Sequence, residues 1–319
     1  MKSIMGLLVL VLSVQAHAIT PEEILNGIKF FDTNGLEQKV FNDTYRIGDE
    51  WGKNEVTEKD LNSDVHYRRM ALSTAKVRGG GTGFYMGVHN GRHLLATNNH
   101  VCPSQFKCSR KGAVNFTMLG VKATMSEWMG SWTDIDLAIF AIEFQSEEDA
   151  AKLAGLASPF AFNDDLYRGQ PLVTIGYGMA DNPGRVLVGN RDDDCRVYSG
   201  TAEYRHMKDP DDLNPGKNLV WSFANGCDVS HGDSGSAMMD RNTGKVIGII
   251  WTGRIPKAEK VQSSAFMRGL LENPTEEIWQ ELSYGVPAPM IATHLLDLIE
   301  RGQIEPDKAA TLIALMSAE

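Results

Sequence analysis

The chain has 319 residues, 42% hydrophobic and 23% charged, with 31 Gly, 12 Pro and four Cys. These proportions exclude a disordered tail, a collagen-like chain and a disulfide-dense mini-scaffold, and leave apolar material for one large domain or two modest ones. A formal net charge of -10 excludes a general electrostatic pull toward nucleic acid or anionic lipid.

In chain order, residues 1–18 read as an export leader. Lys2 gives a positive start, residues 6–14 an apolar stretch, and Ala16-His17-Ala18 a small-x-small cleavage site. The apolar run is shorter than the roughly 20 residues that span a bilayer. Cleavage before Ile19 and a periplasmic or secreted protein, free of the membrane, are therefore expected. Export also places the chain where disulfides persist. Residues 19–69 are polar and irregular, with a short helix expected at 21–31 behind Thr20 and Pro21. From Met70 the texture changes to short apolar or alternating runs between Gly, Asn, Asp and Pro clusters. They fall at 71–77, 83–88, 93–97, 113–119, 137–142, 172–175, 186–188, 219–223, 236–239 and 246–251. That pattern predicts an all-β barrel or sandwich. Residues 259–279 fit either a surface insertion or an extra hairpin. Helical patterns close the chain at 288–301, ending at Arg301-Gly302, and at 305–317.

Chemistry concentrates in three places. Gly232-Asp233-Ser234-Gly235-Ser236 holds a serine between glycines after an acid, which suits a nucleophile on a tight turn. Gly232 allows the N–H groups of Gly232 and Ser234 to converge where an oxyanion would develop. A serine needs a positioned base, and His100 ends the apolar run in Thr97-Asn98-Asn99-His100-Val101. Asp136 opens the run at 137–142 and, being desolvated there, needs a proton-donating partner such as an imidazole N–H. Asp134 is the rival, two residues earlier. The order His100, Asp136, Ser234 differs from the Ser-Asp-His order of α/β-hydrolases and the Asp-His-Ser order of subtilisins. It matches the β-barrel serine proteases.

On these motifs the chain resembles the chymotrypsin/trypsin-like serine peptidases, and more closely their bacterial branch of glutamyl endopeptidases and HtrA-type enzymes. Gly248-Ile249-Ile250-Trp251-Thr252-Gly253 resembles the family strand that pairs with substrate and walls the specificity pocket. The resemblance implies two six-stranded antiparallel barrels with a site between them. It implies a triad of His100, Asp136 and Ser234, an oxyanion hole at Gly232 and Ser234, and substrate contacts at Trp251, Thr252 and Gly253. It also implies pairing of Cys102 with Cys108 and of Cys195 with Cys227. Asp228, six residues before Ser234, stands where trypsin-like enzymes bind Arg or Lys. Ile250 replaces the histidine that reads glutamate. Asp233 stands where family zymogens bind a newly freed N-terminus, so a cut after Arg68-Arg69 would make 19–69 a propeptide.

No metal or organic cofactor is implied, and the acidic runs 192–194 and 209–212 read as solvated loops. The expected partner is a peptide or protein substrate of a monomeric endopeptidase. The alternative is an inactive member of the same fold serving as a binding or regulatory protein.

Overall fold

The computed structural model describes residues 42–77, 80–111, 113–182, 185–210 and 219–318. The leader and the helix expected at 21–31 lie outside the described residues.

The described chain opens with β1 (Lys53–Glu55), α1 (Glu58–Ser63) and α2 (Val65–Ser73). Thr57 and Asp60 form a reciprocal capping box on α1, and the Asp64 carboxylate caps α2 by accepting from the N–H groups of His66 and Tyr67. This cap carries the helix through Ser73, so the strand expected from residue 71 begins only at Thr74. The segment is built into the fold rather than appended to it. Ile47, Val56, Tyr67 and Met70 are buried in the main apolar cluster. Arg191 pairs with Asp60 at 2.7 Å and lies over the Tyr67 ring. Arg68 and Arg69 sit within α2, and Met70 is 1% exposed, so the bond expected to be cut lies inside a packed helix.

The next strands are β2 (Thr74–Val77), β3 (Gly81–His89) and β4 (Arg92–Thr97). α3 (Gln105–Lys111) follows, then β5 (Ala113–Phe116), β6 (Val121–Trp132) and β7 (Leu137–Phe144). They close an antiparallel barrel in the order β2-β3-β4-β7-β6-β5. Along β7, Leu137, Ile139 and Ala141 join the main cluster, while Ala138, Phe140 and Ile142 join a second cluster with Leu95 and Phe116. Burial on both faces explains why β7 reads as an uninterrupted apolar run.

Beyond α4 (Glu147–Lys152) come β8 (Leu172–Gly176), β9 (Val188–Asn190), β10 (Arg205–Met207), β11 (Val220–Asn225), β12 (Ala237–Asp240) and β13 (Val246–Gly253). Then follow α5 (Ser264–Glu272), α6 (Ile278–Glu281), β14 (Ser283–Pro287), α7 (Ala288–Glu300) and α8 (Pro306–Met316). The second sheet is eight-stranded, ordered β1-β9-β8-β12-β13-β14-β11-β10. It therefore has two strands more than expected, with β1 at one end and β10 at the other. Residues 259–279 are neither a hairpin nor a loose insertion. Residues 259–262 and 264–272 are helical, with Met267 and Leu270 of α5 buried. α7 buries Ala288, Ile291, Ala292 and Leu295 against β13 and β14, while α8 crosses to β3 of the barrel. No helix among the described residues is long and apolar enough to cross a membrane.

Candidate active site

Three loops meet between the barrel and the second sheet. His100 lies just past the end of β4, with its side chain 46% exposed. Asp136 occupies the turn before β7 at φ +36°, a left-handed conformation unusual for a side-chain-bearing residue. Its backbone is held by its own N–H to the Thr133 carbonyl, and by the Asn99 N–H and Asn98 Nδ2 donating to its carbonyl. Both carboxylate oxygens then serve His100. Oδ1 accepts from the His100 backbone N–H at 2.9 Å, and Oδ2 from Nδ1 at 2.7 Å. Burial pushes the Asp136 carboxyl above its ordinary value, and the His100 charge and hydrogen bonds partly offset this. An Nδ1–H fixed on a carboxylate leaves Nε2 as the proton-accepting nitrogen. The rival Asp134 is exposed: its carbonyl accepts from the Trp221 N–H and its carboxylate from the neighbouring Thr133 hydroxyl.

Ser234 is half-buried in the turn that leads into β12. Gly232 adopts φ +96°, and a Cβ there would lie 2.6 Å from the Tyr177 carbonyl oxygen, so only glycine fits. The His231 carbonyl accepts from the Met179 N–H at 2.7 Å, which turns the following Gly232 N–H the other way. Among the described residues neither the Gly232 N–H nor the Ser234 N–H donates a hydrogen bond. Thr82 of β3 ties this turn to the barrel. Its N–H donates to the Ser234 carbonyl at 2.9 Å and its hydroxyl to the Gly232 carbonyl at 2.7 Å. Gly235 packs so closely on Thr97 and Asn98 that a Cβ would lie 2.5 Å from the Thr97 hydroxyl. The Ser234 turn therefore lies beside the end of β4, three residues before His100.

The surrounding predictions divide. Cys102–Cys108 and Cys195–Cys227 are both bonded, bracing the segments next to His100 and Asp228. Trp251 points inward, 5% exposed, with its indole N–H on the Ser222 hydroxyl. Thr252 is half-buried, its hydroxyl donating to Asp209 at 2.8 Å, and Gly253 lies against Ser283. Asp209 adds a negative charge that also raises Asp136.

Asp228 departs from expectation. It is 1% exposed, with Oδ1 accepting from the Ile47 N–H and Oδ2 from the Gly52 N–H, each at 2.7 Å. Burial pushes its carboxyl well above the usual range, with Asp192 nearby adding to the shift. A carboxylate with both oxygens engaged by backbone is not presented to a substrate side chain.

The run 192–194 is not simply a solvated loop either. Asp192 is half-buried and accepts from the N–H groups of Asp194 and Cys195, while Asp193 faces solvent. Among the described residues no group of three or more His, Cys, Asp or Glu is arranged to hold a metal. Residues 211 and 212 lie outside the described ones.

Sequence reasoning missed Lys53, Thr82 and Gly178. The Lys53 ammonium forms a buried ion pair with Asp233, beside which Gly178 leaves no room for a side chain. Thr82 stands between Gly81 and Gly83, a triplet that marks close backbone approach. Nothing in the sequence singles Lys53 out, since its partner is 180 residues away.

The chain belongs to the trypsin-like peptidases, serine hydrolases of the peptide bond: the profile of the trypsin-like peptidase domain matches residues 81–249. Among solved structures it is similar to the active form of the Rv3671c protease from M. tuberculosis, at 20% identity and TM-score 0.47, covering 76% of this chain and 87% of that one. The inactive form of the same protease gives 20% identity and TM-score 0.46, covering 76% and 97%. The HtrA-type protease AlgW with a tripeptide gives 16% and 0.44, covering 74% and 63%. No curated protein matches the chain in sequence.

Proposed function

We propose that the protein is an exported serine endopeptidase acting through His100, Asp136 and Ser234. The Ser234 hydroxyl attacks the substrate carbonyl as His100 Nε2 takes its proton. The developing oxyanion accepts from the Gly232 and Ser234 N–H groups. His100 then gives the proton to the leaving amine, and an acyl-enzyme remains. Water repeats the sequence, releasing the acid and restoring Ser234. The observation that carries this reading is the two-point hold of Asp136 on His100, which fixes the imidazole tautomer a base requires. The unused N–H pair beside Ser234 supports it.

Preference for Arg or Lys before the scissile bond is not part of the proposal, because Asp228 is committed to Ile47 and Gly52. Export rests on the leader pattern of residues 1–18, and two disulfides accord with an oxidising compartment.

An organophosphonate probe tests the nucleophile. The expected result is labelling of the wild type and none of Ser234→Ala. Labelling that survives Ser234→Ala, or a wild type that is never labelled, overturns the reading.

A further inference from the structure

The ion pair behind the nucleophile turn has no role in the chemistry described so far. Asp233 is 3% exposed and lies between the two residues whose N–H groups face the cleft. Its Oδ2 accepts from the Ser230 N–H at 2.8 Å, from the Ser230 hydroxyl at 2.9 Å, and from the Lys53 ammonium. Lys53 comes from β1, 6% exposed, and is the only cation paired with Asp233 among the described residues. The fit is close: a Cβ on Gly178 would lie 2.3 Å from the ammonium and 2.5 Å from the Asp233 carboxylate. Ile47 and Gly52 of the same segment hold Asp228, five residues before Asp233. One stretch of seven residues thus secures both buried carboxylates of the loop that carries Ser234.

A buried carboxylate deprived of its cation must either take up a proton or turn out to water. Asp233 cannot turn out without rotating the peptide groups on both sides of it, and those carry the Gly232 carbonyl and the Ser234 N–H. We propose that Lys53 is a positioning residue, the internal counter-charge that holds Asp233 inward and keeps the Gly232 and Ser234 N–H groups aimed at one point. The chain is then competent with residues 42–69 in place, and no cut is required to supply a positive charge at Asp233. This rests on the Ser234 reading above.

The test uses the whole chain and a peptide substrate, with each variant assayed well below its own Tm. Lys53→Met keeps the length of the side chain and removes the charge. The expected result is a fall in kcat of at least 100-fold with KM nearly unchanged, because the N–H pair acts on the transition state rather than on the bound substrate. Lys53→Met combined with Asp233→Asn, neutral on both sides, is expected to recover at least tenfold of that loss. Gly178→Ala keeps both charges and wedges them apart, so it covers the case in which Lys53→Met does not fold. Its expected kcat loss is at least tenfold. N-terminal sequencing of active wild type should find a chain that still contains residue 53. A folded Lys53→Met with wild-type kcat, an unaffected Gly178→Ala, or an active form that begins at Met70 would each overturn the assignment. A wild type inert to the phosphonate probe instead overturns the Ser234 reading, and this proposal with it.

Discussion

Asp136 holds a backbone angle that Asn and Asp tolerate better than most side chains do. This makes Asp136→Asn a clean probe, since it preserves the turn while changing the chemistry. The Asn oxygen can keep the His100 backbone N–H, but its amide must donate to Nδ1. The imidazole then carries its proton on Nε2 and cannot accept one from Ser234. A fall in kcat of about 10⁴-fold is expected, with KM little changed, measured by steady-state kinetics. Thermal stability at neutral pH should not fall with it. Burial already disfavours the ionised Asp136, so removing the charge relieves a cost. A variant that lost activity in proportion to its Tm would contradict this account.

At the scale of elements, the barrel strands that were legible are those with apolar residues on both faces. β4 and β7 declare themselves because residues 94–97 and 137–142 are buried without a break, and the motifs at His100 and Asp136 lie at the ends of these runs. β6 was hidden, although it is the longest strand. Lys122, Thr124, Ser126 and Glu127 break its apolar count, and two bulges break its alternation. β14 was hidden by Gly285 and Pro287, which read as a turn in sequence yet pack against β11 and β13. The candidates His100, Asp136 and Ser234 were legible because each stands in a distinctive local setting. The roles of Lys53 and Asp228 were not, because a long-range ion pair leaves no local pattern.

His93 of β4 gives an element-scale prediction. Its Nδ1 is 2.7 Å from the Tyr85 hydroxyl and its ring meets Phe144 edge-on. Burial holds its pKa below 6.5. The unfolded chain therefore takes up this proton at a higher pH than the folded one, and stability falls as pH drops through 6.5 toward the folded value. Above 6.5 the site is neutral in both states and contributes no slope. Melting curves from pH 8 to pH 5 should show His93→Gln losing less stability on acidification than the wild type. Parallel curves would refute the assignment.

Across the whole molecule, the last helix belongs with the first barrel. Arg92 of β4 bonds to the Thr311 hydroxyl, pairs with Asp307 of α8, and pairs with Glu127 of β6. Leu312 and Leu315 are buried behind these contacts, at roughly 1.5–3 kcal/mol for each such side chain. Ending the chain at Gly302 should therefore cost about 3–6 kcal/mol. Hydrogen exchange should show the loss of protection first in β3 and β4, although both lie some 200 residues earlier in the chain. Loss confined to α7 would disprove the coupling.

The threading of residues 47–53 has a consequence for how the molecule comes into being. Their partners, β9, Asp228 and Asp233, are made more than 130 residues later, and α8 must return to strands made more than 200 residues before it. Contacts this distant in sequence make folding slow, because long loops must close before they are rewarded. A chain still being synthesised holds His100 and Asp136 well before it holds Ser234. The turn that carries Ser234 must then close onto a strand laid down near the beginning. On the proposed reading, His100, Asp136 and Ser234 come together only once residues 188–234 have been made and closed onto residues 47–53.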